Sequence, residues 1–538
     1  MINDDSLSPK LNQERNTSFA KNVMMLAAAQ IIVKILGLVY KIIIVNVPGF
    51  GDTGNGYYSA GYQLYMVLLA LSSIGIPNVI SKMVSERVAI GDFRGAHKVF
   101  KISFNLFTGI GFGLAAIMFI FAKSISVALF NAEGVSYTLM ALAPAVMFVS
   151  SNSVLRGYFT GLGSLKSTSI SEIIEQTFNC ILSILFVYMA VGKDTAIMAA
   201  AGNLSTSLAA LISLGYMISH YMLRRKYLKI EMNGQKETEE SETTKTLIKT
   251  VLILALPSAF ASLISTLSSN IDSITVNQAT GNVQAFGLLS KTETLTHLPL
   301  ALSATLYVAI VPVIAALVKT GDNEGASNKL GSTLFISNVI IFPCAIGFIA
   351  LAGPILSLLY PTAPEGAFLL QLQTIAMLFS AIIYVLNGVF YGLGQQKYPA
   401  IILFIGAIIK LILNLLFLYV LNLDVTSAVI STIIYQALVT IIELKFLNKF
   451  VKIKLNISKQ IIKPLIASFI MGIFAYLTHK LLLGFLGNSL ATIIAIFVGV
   501  VVYGVCILKI KMLNKEDYLM LPKGDLIYNV LLKLKLIK

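Results

Sequence analysis

Apolar runs of about twenty residues follow one another along nearly the whole chain, broken by short polar stretches. A helix of that length crosses a hydrocarbon core of ~30 Å. Hydrocarbon offers backbone N–H and C=O groups no partner, so a crossing segment is either a helix or a strand of a closed barrel. These runs lack the two-residue alternation of barrel strands. The pattern predicts spans at 22–45, 57–80, 102–121, 137–155, 169–191, 196–220, 250–277, 284–317, 332–352, 368–391, 400–421, 425–446, 464–483 and 489–509. The fold class is all-α: a polytopic membrane protein with about fourteen transmembrane helices.

Composition agrees. Hydrophobic residues make up 57% of the 538 and charged residues 12%, with a mean hydropathy of +0.83. A soluble domain carries roughly 25% charged residues, so the bilayer is the solvent that suits this surface. The net charge of +15 needs no nucleic acid to explain it. When the connections are assigned alternately to two sides, 33 of the 40 Lys and Arg residues fall on the side of both termini and three (Lys123, Lys193, Lys480) on the other. The positive-inside rule then places both termini in the cytoplasm. The first apolar run follows about twenty polar residues without a small-residue cleavage site, and reads as a retained helix.

Enzyme chemistry finds little support. No Gly-Lys-Ser/Thr phosphate loop, His-Glu-x-x-His or Cys-x-x-Cys occurs. The histidines (His97, His220, His297, His479) are scattered, and the cysteines (Cys180, Cys344, Cys506) sit in apolar runs, so neither cofactor, metal nor disulfide is expected.

The chain repeats itself. Residues 155–188 align with 386–419 without gaps at an offset of 231, with 14 of 34 positions identical. The shared phrase is "LRGYFTGLGSLK" against "LNGVFYGLGQQK". At offset 230, "AIGDFRGA" (89–96) matches "KTGDNEGA" (319–326). Spans 1–6 and 7–12 therefore read as two copies of a six-helix lobe in the same orientation, the parallel-repeat class of transporter. The organisation is a cytoplasmic tail (1–21), an N-lobe (22–223), a cytoplasmic linker (224–249), a C-lobe (250–447), two added helices (448–511) and a cytoplasmic tail (512–538). Gly161, Gly163, Gly392 and Gly394 mark the repeated turn, either an inner hinge of alternating access or a structural turn with no part in transport.

The phrases "GNGYYSAGYQLYMVLLALSSIGIPNVISKMVSE" (54–86) and "LRGYFTGLGSLKSTSISEIIEQ" (155–176) resemble the SpoVB/MurJ-like branch of the multidrug/oligosaccharidyl-lipid/polysaccharide exporter superfamily, over essentially the whole chain. The resemblance implies a flippase, not an enzyme, for undecaprenyl-pyrophosphate-linked glycan, with lipid II the best-known cargo. Other lipid-linked polysaccharide units and a sporulation role stay open, and a drug–cation antiporter of the superfamily is the more distant alternative. The expected partners are that lipid-linked oligosaccharide and membrane lipids, with no nucleic acid, for a monomer in the cytoplasmic membrane.

A pyrophosphate headgroup calls for fixed positive charge, and charged side chains within spans usually face a cavity or a partner. Lys34, Lys41 and Lys291 are the candidates for a cationic cavity. Lys34 and Lys41 share a face of span 1, with Gln30 one turn before Lys34. The resemblance implies a basic residue at Lys34, and another near Tyr40, where this chain has Lys41 next door. Snorkelling to an interface is the alternative, chiefly for Lys41. Lys291 and Glu293 stand near Pro299, where the family carries an acidic–arginine pair in another order, and His297 follows. Glu172, Glu175, Gln176 and Asn179 form a polar stripe on span 5, lining a cavity or pairing with Arg156. Asp272 in span 7 and Lys410 and Asn414 in span 11 lie where some relatives hold a sodium ion, and Lys410 is expected to replace that ion and pair with Asp272. Arg87, Arg94, Lys98 and Lys101 either attract anionic headgroups or are ordinary positive-inside charge.

Overall fold

The computed structural model describes residues 32–73, 75–233, 243–452 and 456–510, with isolated positions 512, 528, 529 and 532. Among them the only extended secondary structure is helix. In chain order these are α1 (32–45), α2 (Gly51–Ser72), α3 (Ile76–Ala89), α4 (Phe93–Ile120), α5 (Ala122–Phe130), α6 (Val135–Gly161), α7 (Leu165–Met189) and α8 (Thr195–Asn233). They continue as α9 (Thr244–Thr280), α10 (Val283–Lys319), α11 (Asn323–Leu359), α12 (Ala367–Gly392), α13 (Lys397–Tyr419), α14 (Thr426–Leu447) and α15 (Lys463–Lys509). Eleven described helical stretches are long and apolar enough to cross a membrane. Their lipid-facing character shows on α15, where Phe469, Ile473, Phe474, Leu477, Phe485 and Phe497 are all exposed.

Local chemistry explains where the helices differ from the predicted spans. The span predicted at 57–80 is two helices, because Gly75 adopts φ +89° and Pro77 supplies no N–H. The short α5 had no span predicted for it. The predicted spans 464–483 and 489–509 lie in α15, which doubles back where Gly487 takes φ +69° and ψ 171°. Gly499 thereby comes to rest against Met471 and Ala475.

The chain forms two compact units, residues 1–283 and 284–538. Helix α9, grouped by the repeat with the second copy, packs within the first unit. It lies against α2, α3, α4 and α5, and Gln278 Nε2 donates to the Ala128 carbonyl.

The two copies repeat the packing around the shared turn. Gly157 and Gly161 of α6 press on α3, where a Cβ would stand 2.9 Å from Ile80 Cβ and 2.7 Å from Val84 Cβ. Gly388 and Gly392 of α12 press on α10, 2.5 Å from Ile310 Cγ2 and 2.6 Å from Ile314 Cβ. Ile80 and Ile310, like Val84 and Ile314, are related by the offset of 230. Small residues four apart let two helices approach closely in lipid. The first glycines of each "GLG" therefore serve helix packing. The second ones make the turn: Gly163 has φ +81° and Gly394 φ +69°. The Ser164 N–H donates to the Phe159 carbonyl at 2.8 Å and the Gln395 N–H to Phe390 at 2.9 Å, the same helix-ending bond twice. Asp92 and Asp322 cap α4 and α11, each accepting from a glycine N–H three residues on at 2.7 Å.

This packing predicts that Gly161→Ala and Gly392→Ala each lower stability by about 1–3 kcal/mol, the usual cost of overpacking. Thermal unfolding of the purified variants in detergent measures it, and unchanged midpoints would contradict the close approach.

Candidate functional site

In the first unit, α1 and α2 meet through polar atoms. Lys41 is half-buried, and its Nζ donates to Asn55 Oδ1 and Ser59 Oγ at 2.8 Å each. The same ammonium stands 4.8 Å from the centre of the Tyr58 ring, a cation–π distance. Asn55 and Ser59 are one helical turn apart, so one lysine reaches both. Asp52 lies buried one turn earlier, in the first turn of α2, where a carboxylate suits the helix N-terminus. Tyr40 lies beside Lys41 and its hydroxyl meets that of Tyr58 at 3.2 Å. Tyr58, Tyr62 and Tyr65 run on along α2 with ring centres 6.3 and 5.5 Å apart.

Lys34, two turns before Lys41, differs. It is exposed and makes no hydrogen bond or ion pair among the described residues. Gln30 lies outside the described residues.

The stripe on α7 divides into three parts. Glu175 accepts from Arg156 Nη2 at 2.7 Å, and the same guanidinium donates to Ser171 Oγ at 3.1 Å and Ser213 Oγ at 3.2 Å. Asn152, one turn before Arg156, donates to Ser213 at 2.9 Å. Asn179 is buried and accepts from Ser205 Oγ at 2.6 Å and Thr206 Oγ1 at 3.2 Å. Gln176 faces α1, since a Cβ on Gly37 would lie 3.7 Å from its Nε2. Glu172 is half-buried.

In the second unit Lys291 is 1% exposed. Its Nζ donates to the Ala363 carbonyl at 2.6 Å and stands 5.4 Å from the centre of the Tyr360 ring. It thus ties α10 to the connection between α11 and α12. Glu293 is half-buried and His297 exposed on the next turns. Lys410 is buried with its ammonium 5.4 Å from the centre of the Tyr435 ring, and Asn414 accepts from Ser431 Oγ at 3.2 Å. Asp272 is buried in α9, so it and Lys410 belong to different units.

The residues that sequence reasoning passed over are the partners. Asn55 and Ser59, or Asn152 one turn before Arg156, could have been found as polar residues at helical spacing inside apolar runs. Nothing in the sequence joins Lys291 to a backbone carbonyl 72 residues away.

A family model described as "Polysaccharide biosynthesis protein" matches residues 19–318, and one described as "Lipid II flippase MurJ" matches residues 181–496. The chain belongs to the MurJ family. It is 25% identical to the lipid II flippase MurJ of Bacillus subtilis, covering 93% of this chain and 97% of that one. It is 23% identical to the stage V sporulation protein B of the same organism, covering 82% and 86%. A solved lipid II flippase MurJ in an inward closed conformation shares the fold, with a TM-score of 0.68 at 17% identity over 90% of this chain and 98% of that one. The MurJ relatives are flippases, not enzymes, and so is the family to which this chain belongs.

Two outcomes follow from the geometry. Arg156→Ala and Glu175→Ala each lower stability by about 1–3 kcal/mol, because each strands a half-buried charge. In a double-mutant cycle read by thermal unfolding, the pair couples by more than ~0.5 kcal/mol. Lys291→Met keeps the stem and removes the ammonium. It costs about 1–3 kcal/mol by leaving the Ala363 carbonyl short of a donor, measured by the same unfolding assay.

Proposed function

We propose that the chain flips undecaprenyl-pyrophosphate-linked glycan, lipid II first among the candidates, across the cytoplasmic membrane by alternating access. In this reading both termini are cytoplasmic, on the side of the basic loops. Family membership supports the transport class. The observation that carries the cargo is Lys34: an exposed ammonium on an apolar helix, unengaged among the described residues. An ammonium binds a phosphate group as a point charge. Lys41 and Lys291, by contrast, hold their own lobes together through Asn55, Ser59 and Ala363. Their contribution to the cargo is to keep the helices around it in position.

A second reading has an observation of its own. The identity to the stage V sporulation protein B, 23%, is close to the 25% for MurJ. A lipid-linked unit used in sporulation is therefore the alternative cargo.

Expression of this chain in a bacterium depleted of its own lipid II flippase tests the proposal. Survival, with lipid II labelled at the outer face, is the expected result. Lys34→Ala lowers that labelling about 10- to 100-fold, the factor that 1.5–3 kcal/mol of a charged hydrogen bond represents. Lys34→Arg retains it. Good membrane expression without rescue would move the cargo to another polyprenyl-linked glycan, and full activity of Lys34→Ala would remove Lys34 from the site.

A further inference from the structure

Glu443 on α14 is completely buried. Neither of its carboxyl oxygens has a hydrogen-bond partner among the described residues, and no ion pair reaches it there. A bare carboxylate in that position would be very costly. The interface around it says what is missing.

Helices α12 and α14 run in the same direction, since α13 returns between them. Their register is pinned where Ser380 Oγ donates to Gln436 Oε1 at 3.0 Å. Seven residues on, two turns along each helix, come Asn387 on α12 and Glu443 on α14. Asn387 Oδ1 is likewise buried without a partner. Three acceptor oxygens without a partner among the described residues thus fall at matching positions of the two helices, and the Asn387 Nδ2 group makes no hydrogen bond to Glu443.

The other copy of the repeat shows how the vacancy can be filled. Asn387 is the counterpart of Arg156 at the offset of 231. There the guanidinium supplies the donors, to Ser171, Ser213 and Glu175. The first copy holds a permanent positive charge where the second has an amide and an acid.

We propose that Asn387 and Glu443 form a proton-binding site at the basic-loop end of the second repeat. The bound proton sits on Glu443, and the carboxyl O–H donates to Asn387 Oδ1. The proton comes from water and returns to it when the ends of α12 and α14 part. A sodium ion suits the place less well, because three oxygens fall short of a usual alkali-ion shell.

The other titratable groups on the packed helices are engaged elsewhere or turned outward. On α12, Tyr384 is 39% exposed and Tyr391 meets the Tyr307 ring of α10 with centres 5.6 Å apart. Helices α10 and α11 share the core with these helix ends; on them Lys319 and Glu324 are exposed, Lys329 is half-buried and Asp322 caps α11. On α13, Lys397 lies over the Tyr398 ring, Tyr398 packs on Phe390, Phe446 and Phe450, and Lys410 lies over Tyr435 of α14. On α14, Lys445 is exposed and Lys449 lies over Phe446. The assignment of the proton stands independently of the flippase reading; only its coupling to transport rests on that reading.

Infrared difference spectroscopy of the full chain in phosphatidylethanolamine–phosphatidylglycerol nanodiscs tests the site without any transport assay. The expected result is a protonated-carboxyl C=O band that titrates away with rising pH in sodium-free buffer and is absent from Glu443→Gln, which keeps the size of the protonated acid. Asn387→Leu shifts that band to higher frequency by removing its hydrogen bond. Asn387→Arg abolishes it at all pH values by copying the first repeat. A wild-type spectrum identical to that of Glu443→Gln would overturn the proposal. So would a band that sodium alone removes at constant pH, since the site would then be an alkali-ion site. A band unmoved in Asn387→Leu would remove Asn387 from it.

Discussion

A polar atom carried into hydrocarbon has no water to turn to, so each must find its partner within the protein. This desolvation constraint organises the chain more than apolar burial does, because lipid receives apolar side chains as readily as the core does. The helices approach through glycines, Gly157 and Gly161 on α3 and Gly388 and Gly392 on α10. They are cross-linked by polar contacts such as Lys41 with Asn55 and Ser59, Arg156 with Glu175, and Lys291 with the Ala363 carbonyl. Each contact ties together elements that the short connections alone would leave free to slide.

The two copies share their packing and differ in their charge. The glycine contacts and aspartate caps recur almost unchanged. The ionisable groups do not. Arg156 becomes Asn387, Asn179 becomes Lys410, and an acid without a partner among the described residues, Glu443, appears on α14. Packing positions admit few side chains because a methyl group has nowhere to go. Polar positions admit any set whose donors and acceptors balance, which leaves room for two copies of one lobe to take different chemical tasks.

The constraint also separates the lysines that the sequence treats alike. All four stand inside apolar runs, and a charge at that depth implies a cavity or a partner. Lys41, Lys291 and Lys410 are each held against an aromatic ring of their own unit. Lys34 is exposed. Both Lys34 and Lys291 were candidates for the headgroup; burial distinguishes the exposed ammonium from the one already hydrogen-bonded to the chain.

What the sequence determined by itself is what depends on neighbours along the chain. A membrane-crossing helix needs about twenty apolar residues, so the helical class and most spans were legible, and the two-fold repeat was written as a literal phrase. The break at Gly75 and Pro77 escaped because the residues on both sides of it are apolar. Only the tertiary structure decided that Gly161 is a packing residue and Gly163 a turn, that α9 packs within the first unit, and that Glu443 finds no donor among the described residues. Those outcomes depend on side chains brought alongside from distant parts of the chain: Val84 for Gly161, α2 for α9, Ala363 for Lys291. Hydropathy is summed along a helix, whereas hydrogen-bond balance is settled across an interface.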